Sequence, residues 1–355
     1  MDTTTIDASV IVVNWRQPEL TAEAITSIDE NRDGLSVEVI LVENDARLGG
    51  TAMLRERFPF LVVVENDRNA GFAGGVNSGL RIARGETVVL LNNDAVVRPG
   101  FLRAGVERMR SEGELVGAVA ARVLLSGRFS DRAGTKRGLV DYNGVSWHRL
   151  PDGDESGAAL TNSTGIELSR YGNGFDRDWL LEQSLTEGTA ADPFGFSGSA
   201  AFLRRSTVEA LGGFDERLFM YYEDLELSWR MRLAGYRIVY EPGAIAVHHV
   251  AKSSIGTPTL GRRLSMRNRL LTTLRNGSRR LVLRVTMRML LRCLGDLGWM
   301  LRHRSSTGES GLTLDDWARI WWRVLKHSPS IALSRMRETS RHRRGEVERE
   351  FVGRA

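Results

Sequence analysis

The feature that most constrains this chain is an alternation in its first 94 residues. Short, β-branched apolar runs at 9–14 (SVIVVN), 37–42 (VEVILV), 61–64 (LVVV) and 87–91 (TVVLL) are separated by segments whose spacing predicts helices at 18–31 and 51–58. Strands alternating with helices pack as an α/β layer on a mostly parallel sheet. Ligands of such sheets gather beyond the carboxyl ends of the strands, and the residues that fall there are Asn14, Glu43, Asn69 and the run Asn92, Asn93, Asp94. A single polar residue after a strand makes a turn as readily as a site. Four strand ends treated alike favour a site.

Between 122 and 192 the pattern loosens into Gly-, Asp- and Ser-rich sequence with scattered aromatics, read as a long insertion that shapes a substrate. Regular structure returns with the strand-like run 196–203 (FSGSAAFL) and a helix over 225–234 closed by Gly235. The expected organisation is a catalytic unit over 1–255 and a helical region over 256–355.

Charge divides the chain at the same place. Residues 251–355 hold 23 Lys and Arg against 8 Asp and Glu, a net +15, which leaves −10 for the first 250. An acidic body and a basic tail suggest different partners. In the tail, Arg284, Arg288 and Arg292 recur every fourth residue among Leu, Val and Met, with Trp299, Trp317, Trp321 and Trp322 nearby. No stretch is long and uncharged enough to span a bilayer, whereas a basic stripe beside Leu and Trp suits an anionic membrane interface. A cap packed on the body, or a surface for homo-oligomers, is the competing expectation. The only cysteine is Cys293, which excludes a disulfide framework or a cysteine zinc site. The first residues lack a basic flank and an apolar stretch, so a cytoplasmic location is expected, peripheral on the membrane if the tail binds lipid.

Three segments could carry chemistry. Residues 68–79 (RNAGFAGGVNSG) place Gly71, Gly74, Gly75 and Gly79 at a helix start, where backbone N–H groups favour phosphate; a tight turn with close helix packing explains them as well. Residues 90–95 (LLNNDA) deliver Asn92 and Asp94 two apart, oxygen ligands suited to Mg²⁺ or Mn²⁺. Residues 213–232 (GFDERLFMYYEDLELSWRMR) set Asp215, Glu223, Asp224 and Glu226 among aromatics, an apolar setting that raises proton affinity and suits a general base. His248 and His249 follow another strand-like run, where imidazole could complete a metal site.

In this order the motifs resemble the family 2 glycosyltransferases of the GT-A fold, in particular their bacterial rhamnosyltransferase-like branch, over residues 9–254. The resemblance implies an inverting, metal-dependent transfer of a sugar from a nucleotide diphosphate to an acceptor hydroxyl, in cell-wall, polysaccharide or glycolipid synthesis. It assigns Glu43 to the nucleotide base, where the family usually has Asp, and places Asn14, Asn69, Gly74, Asn77, Asn92, Asn93 and Asp94 around the nucleotide sugar. Asn92 stands where the family has the first Asp of its metal motif, so Asp94 should dominate, with His248 as a further ligand. Asp224 falls on the catalytic base with Glu223 beside it, and Trp229, Arg230, Ser197 and Gly198 fall on the acceptor side. The implied donor is dTDP- or UDP-linked, with rhamnose favoured, and the implied acceptor is a saccharide or a polyprenyl-linked one.

The competing classes fare worse. No nucleic-acid partner is expected, because the basic tail lacks a recognition helix or zinc module. A nucleotidyltransferase on the same sheet would need more basic residues around 68–79 than Arg68 and Arg81. A sugar-binding module without activity would not need Asp94, Asp224 and His248 together.

Overall fold

The computed structural model describes residues 5–49, 51–132, 138–188, 191–249, 258–338 and 340–352. Each apolar run of the amino-terminal half becomes a strand, and the first three lead into helices: β1 (Ala8–Asn14), α1 (Pro18–Glu30), β2 (Val37–Glu43), α2 (Thr51–Arg57), β3 (Val62–Glu65), α3 (Gly71–Leu80) and β4 (Thr87–Leu91). Pro18 opens α1, where its fixed φ fits and its missing N–H costs nothing. Then come β5 (Ala95–Val97), α4 (Phe101–Ser111), β6 (Val116–Leu125), β7 (Thr161–Ser163), β8 (Ala200–Arg204), α5 (Arg205–Ala210), α6 (Glu223–Leu233) and β9 (Arg237–His248).

These strands form one mixed sheet in the order β3-β2-β1-β4-β8-β6-β9-β5, with β7 added alongside β6. It is parallel from β3 to β4 and between β6 and β9, while β8 runs opposite to both its neighbours. β6 is buried at all ten positions, as expected of a strand covered on both faces. Apolar layers on the two sides of the sheet enclose it, one under α1 and α4 and one under α3 and α6.

The register explains the site. Asn14 on β1 is the direct partner of Glu43 on β2, so both side chains leave the sheet at one edge. His248 at the end of β9 pairs with Ala95 on β5, which puts it beside Asp94. The segment 122–192 does not fold as a separate body. It adds β7 to the main sheet, folds a small hairpin from Ile166–Leu168 and Gly174–Asp176, and closes with short strands around Phe129.

The carboxyl-terminal region is helical: α7 (Pro258–Asn276), α8 (Arg279–His303), α9 (Leu314–Arg337) and α10 (Arg344–Phe351). Ser278 caps α8 and Thr313 caps α9, the latter through a reciprocal capping box with Asp316. One apolar cluster joins these helices to Leu168, Phe194, Leu225 and Trp229 of the body. The helices therefore share a core with the sheet domain.

Candidate active site

The base candidate lies on a loop forced into unusual backbone. Phe219, Tyr221 and Tyr222 all have positive φ, at 68°, 69° and 73°, in a region that side chains with a Cβ rarely adopt. Such strain persists only where surroundings hold it. From α7, Asn268 Nδ2 donates to the carbonyls of Leu218, Met220 and Tyr221 at 2.9, 2.9 and 2.7 Å, and Arg267 Nη2 donates to the Leu218 carbonyl at 2.6 Å. On the other side the Phe219 carbonyl accepts from Ala73 at 3.2 Å. Gly71, at φ 73°, must lack a side chain there, because a Cβ would lie 2.2 Å from that carbonyl.

The loop delivers Glu223 and Asp224 into the first turn of α6. Asp224 accepts from the backbone N–H of Gly198 at 3.0 Å and of Leu225 at 2.7 Å. Burial pushes its carboxyl above the ordinary Asp range, and these backbone donors pull against that shift. Glu223 is pushed well above the ordinary Glu range by burial and then by the Asp224 charge, and its Oε2 is buried with no hydrogen-bond partner. Of the two adjacent carboxyls, Glu223 is raised the further, which makes Asp224 the easier to ionise. A third carboxyl, Asp176, is pushed up to about 6 by burial and by the Asp224 charge, against a hydrogen bond from Ser163 and the nearby His248.

Across from the base, Asp94 is buried and its Oδ1 lies 3.0 Å from His248 Nε2, while His248 Nδ1 lies 2.7 Å from Asn162 Oδ1. The amide thus orients the ring and leaves Nε2 facing the carboxylate, the way metal-bound histidines are usually steadied. The 3.0 Å contact between Asp94 and His248 is a hydrogen bond, or an ion pair if the ring is charged, and it brings one oxygen and one nitrogen ligand atom together, a pair suited to Mg²⁺ or Mn²⁺. Among the described residues no three His, Cys, Asp or Glu side chains converge as a metal cage. An ion held here would need further ligands from amides, water or a diphosphate, as open oxygen sites commonly have it.

At the nucleotide end, Asn14 Nδ2 donates to Glu43 Oε2 at 2.7 Å, and Thr21 Oγ1 donates to Asn14 Oδ1 at 2.8 Å. Asn93 Nδ2 reaches the same hydroxyl at 3.2 Å. Burial raises the Glu43 carboxyl above the ordinary range, opposed by Asn14, and Glu43 Oε1 is buried without a partner. An acceptor atom desolvated in this way invites a donor from a ligand. Asn69, Gly74 and Asn77 instead hold protein. Asn69 Oδ1 accepts from Gly71, and Asn77 ties α3 to the Phe214 backbone and to Glu216. A Cβ on Gly74 would lie 2.7 Å from Ala70 Cβ, and one on Gly79 2.8 Å from Ile11, so this glycine run lets α3 lie tightly against its neighbours.

The acceptor-side residues divide. Ser197 and Gly198 border the candidate base: Gly198 N–H donates to Asp224, Ser197 Oγ bonds Ser199 Oγ at 2.9 Å, and the Ser199 carbonyl accepts from the Asn92 N–H at 3.0 Å, which links the loop of Asn92 and Asp94 to the start of α6. Trp229 and Arg230 do not face an acceptor. Trp229 is fully buried against Phe194, and Arg230 is buried in an ion pair with Glu226 at 2.7 Å while donating to the Leu211 and Gly213 carbonyls. α6 is covered on nearly every side, so a motif at its far end braces the helix and touches no substrate. Residues absent from the sequence reading are Asn162, Asp176, Arg267 and Asn268. The first two stand in the loose insertion and the last two in the tail, where no local pattern separates them from their neighbours.

The profile of Glycosyl transferase family 2 matches residues 9–159 and that of Glycosyl transferase family group 2 matches 168–307. The chain belongs to glycosyl transferase family 2. The second match runs beyond residue 254 through α7 and α8, so it includes α7, the helix whose Arg267 and Asn268 hold the strained loop before Asp224. The O-antigen biosynthesis protein RfbC of Myxococcus xanthus is 29% identical over 249 residues, 69% of this chain and 17% of that protein. The N-acetylglucosaminyl-diphospho-decaprenol L-rhamnosyltransferase of Mycobacterium tuberculosis is 49% identical over 63 residues, 18% of this chain and 20% of that enzyme. The chain thus spans a fifth or less of the length of these curated relatives. In structure it is similar to GalNAc-T7 with UDP, GalNAc and Mn²⁺, at a TM-score of 0.51 and 16% identity over 77% of this chain and 48% of that one. That likeness shows the GT-A fold.

Proposed function

We propose that this family 2 member is an inverting glycosyltransferase that moves a sugar from a nucleoside-diphosphate donor to an acceptor hydroxyl, with Asp224 as the base. The observation that carries the reading is the unequal treatment of two adjacent buried carboxyls: the backbone N–H groups of Gly198 and Leu225 favour the charged form of Asp224, whereas Glu223 has only its own backbone N–H and keeps Oε2 buried without a partner. The acceptor hydroxyl donates to the Asp224 carboxylate, which takes the proton as the acceptor oxygen attacks the anomeric carbon. The bond from that carbon to the diphosphate oxygen breaks on the opposite face, so the carbon inverts. Ser197 and Gly198 form the wall along which the acceptor reaches the base.

Asp94 and His248, with Asn92, would hold Mg²⁺ or Mn²⁺, which when bound supplies positive charge to the departing diphosphate. Asn162 keeps His248 oriented for this, and Asn14 and Glu43 receive the nucleotide base. Rhamnose as the transferred sugar and a polyprenyl-linked acceptor are supported by similarity to the mycobacterial rhamnosyltransferase, and a dTDP- or UDP-linked donor, with a saccharide as the alternative acceptor, completes the reading. The catalytic unit is residues 1–255, with 122–192 shaping the site, and 256–355 serves as a helical region.

No described helix is long and apolar enough to cross a membrane. α8 nevertheless turns apolar residues outward: Leu283, Leu291, Leu294 and Leu301 are 61–74% exposed, and Met287 and Leu290 are 48% and 41% exposed. At about 100° per residue these fall on the side opposite the buried Leu281, Val285, Met289 and Met300. An outward apolar stripe on a region of net +15 supports peripheral binding to an anionic membrane.

A screen of dTDP-, UDP- and GDP-sugars by nucleotide release, with Mg²⁺ or Mn²⁺, tests the reading. Release with one donor and an inverted anomeric centre in the product are expected. Release from none of them, or retention of configuration, overturns it.

A further inference from the structure

A cavity of about 590 Å³ opens between the loop at Glu216–Phe219, α7 and α9, apart from the residues assigned to the donor. Its walls carry Arg263, Arg267, Arg319, Arg323, Lys326 and His327, with the side chain of Trp322 at 67% exposure on its rim. The acids nearby are already engaged. Asp316 pairs with Arg263 at 3.2 Å, Asp315 with Arg319, and Asp215 with Arg217 at 2.6 Å and Arg275 at 2.8 Å. Glu216, the carboxylate in the lining, accepts from Asn77 at 3.0 Å. Arg267, Arg323 and Lys326 have no carboxylate partner among the described residues.

Like charges crowded in this way cost free energy that a folded chain would shed unless something used them. The crowding is felt by the groups themselves. The Arg267 guanidinium is pushed down to about 10 by burial and by the charges of Arg323 and Arg263. The His327 imidazole is lowered by burial and by Arg267, Arg217, Arg323 and Lys326. Planar guanidinium groups converging without an acid suit phosphate oxygens, which accept paired N–H bonds. Beside the cavity, the outward side of α9 carries Trp322 and Leu325, both 67% exposed, Leu333 at 46% and Met336 at 81%. A ligand that fits both is one with phosphate at one end and a hydrocarbon chain at the other.

We propose that this cavity binds the diphosphate of a lipid-linked acceptor, with Arg267, Arg323 and Lys326 on the phosphates and the outward side of α9 along the lipid. The proposal rests on the glycosyltransferase reading and names the part of its acceptor that is recognised away from the reacting hydroxyl. Position supports it. The cavity wall at Phe219 belongs to the same strained loop that presents Asp224, and Arg267 reaches both the cavity and the carbonyls of that loop.

Calorimetric titration of the full chain with farnesyl diphosphate, inorganic pyrophosphate and farnesol, in the presence of a chelator, tests the site. Farnesyl diphosphate should bind most tightly. The exposed pair Arg323→Gln with Lys326→Gln should weaken it by roughly 10- to 100-fold, since two charge-assisted contacts are lost. Arg302→Gln with Arg304→Gln removes the same charge from the end of α8 and should leave the affinity as it was. Equal loss in both double variants overturns the site in favour of general charge. Equal affinity for pyrophosphate and farnesyl diphosphate overturns the lipid source and leaves a free-phosphate site, and tight binding of farnesol overturns the role of phosphate. Nucleotide-sugar binding with Mg²⁺, measured in parallel, separates the two readings. A chain that binds farnesyl diphosphate here but no nucleotide sugar breaks the glycosyltransferase reading, and one with the reverse behaviour breaks this one.

Discussion

In the sheet domain the polar residues at the strand ends bond to one another, Asn14 to Glu43, Asp94 to His248 and His248 to Asn162, and face inward. In the helical region the arginines are divided among several tasks. Arg275 is buried against Asp215, Glu226 and Glu338, and Arg267 clamps the base loop. Arg284 donates to the Arg170 carbonyl, and Arg288 lies 4.1 Å over the Tyr171 ring. The first region builds chemistry from few groups placed by register, and the second uses many long side chains to brace the first and to meet anions. A single substitution should therefore be severe in the first and graded in the second.

The largest expected effect is at Asp224. Asp224→Asn keeps the shape and removes the basicity, so kcat should fall on the order of 10²- to 10⁴-fold while calorimetry finds nucleotide-sugar affinity little changed. Glu223→Gln removes the carboxyl that burial and the Asp224 charge hold further above its ordinary range, and it should cost far less. The reaction needs Asp224 ionised, and burial raises its proton affinity, so the rate should fall as pH drops through a value above the ordinary Asp range. Removing the Glu223 carboxyl should leave that acid limb in place. If Glu223→Gln abolishes transfer and Asp224→Asn does not, the two roles are exchanged.

Next come Asp94 and His248. Asp94→Ala should nearly abolish turnover, and His248→Ala should raise the Mn²⁺ concentration needed for half-maximal rate, as should the milder Asn162→Ala by freeing the ring. Unchanged metal titrations in all three would remove the ion from this corner of the sheet.

Asn268 brings the two regions together. Asn268→Ala removes the two amide N–H donors shared among three carbonyls of a strained loop, and at about 0.5–1.5 kcal/mol for each donor the chain should lose about 1–3 kcal/mol of stability. As a positioning residue it should lower kcat at 20 °C by about tenfold with donor KM unchanged. A rise in donor KM with kcat intact would show that Asn268 serves the fold of the donor site instead.

How far the sequence reaches follows the same division. Helices expected at 18–31 and 51–58 fold at Pro18–Glu30 and Thr51–Arg57, because a period of 3.6 between flanking strands is a local signal. Strand ends are local as well, so Asn14, Glu43 and Asp94 could be read directly. Trp229 and Arg230 were misplaced because a motif records that residues matter without saying which way a helix turns them. α6 is buried all round and carries no amphipathic stripe to read. Asn162 and Asn268 were invisible since their partners lie 86 and about 50 residues away, contacts that only the fold creates.

The smallest expected effects belong to the membrane face, where they also discriminate best. The sequence points to Arg284, Arg288 and Arg292, yet two of these are engaged on the body at residues 170 and 171, and the outward side of α8 is apolar. Leu283→Gln, Leu290→Gln, Leu294→Gln and Leu301→Gln together should weaken binding to phosphatidylglycerol–phosphatidylcholine vesicles by more than about tenfold, at roughly 1 kcal/mol or less for each half-buried apolar chain. Salt should not restore or deepen that loss. Replacing the three arginines by Gln should weaken binding only a few-fold, and only at low salt, because exposed charges are screened within about 8 Å at physiological ionic strength. A larger loss from the arginines than from the leucines would return the membrane contact to the charged stripe. Vesicle binding that neither set alters would make the outward side of α8 a contact for another protein.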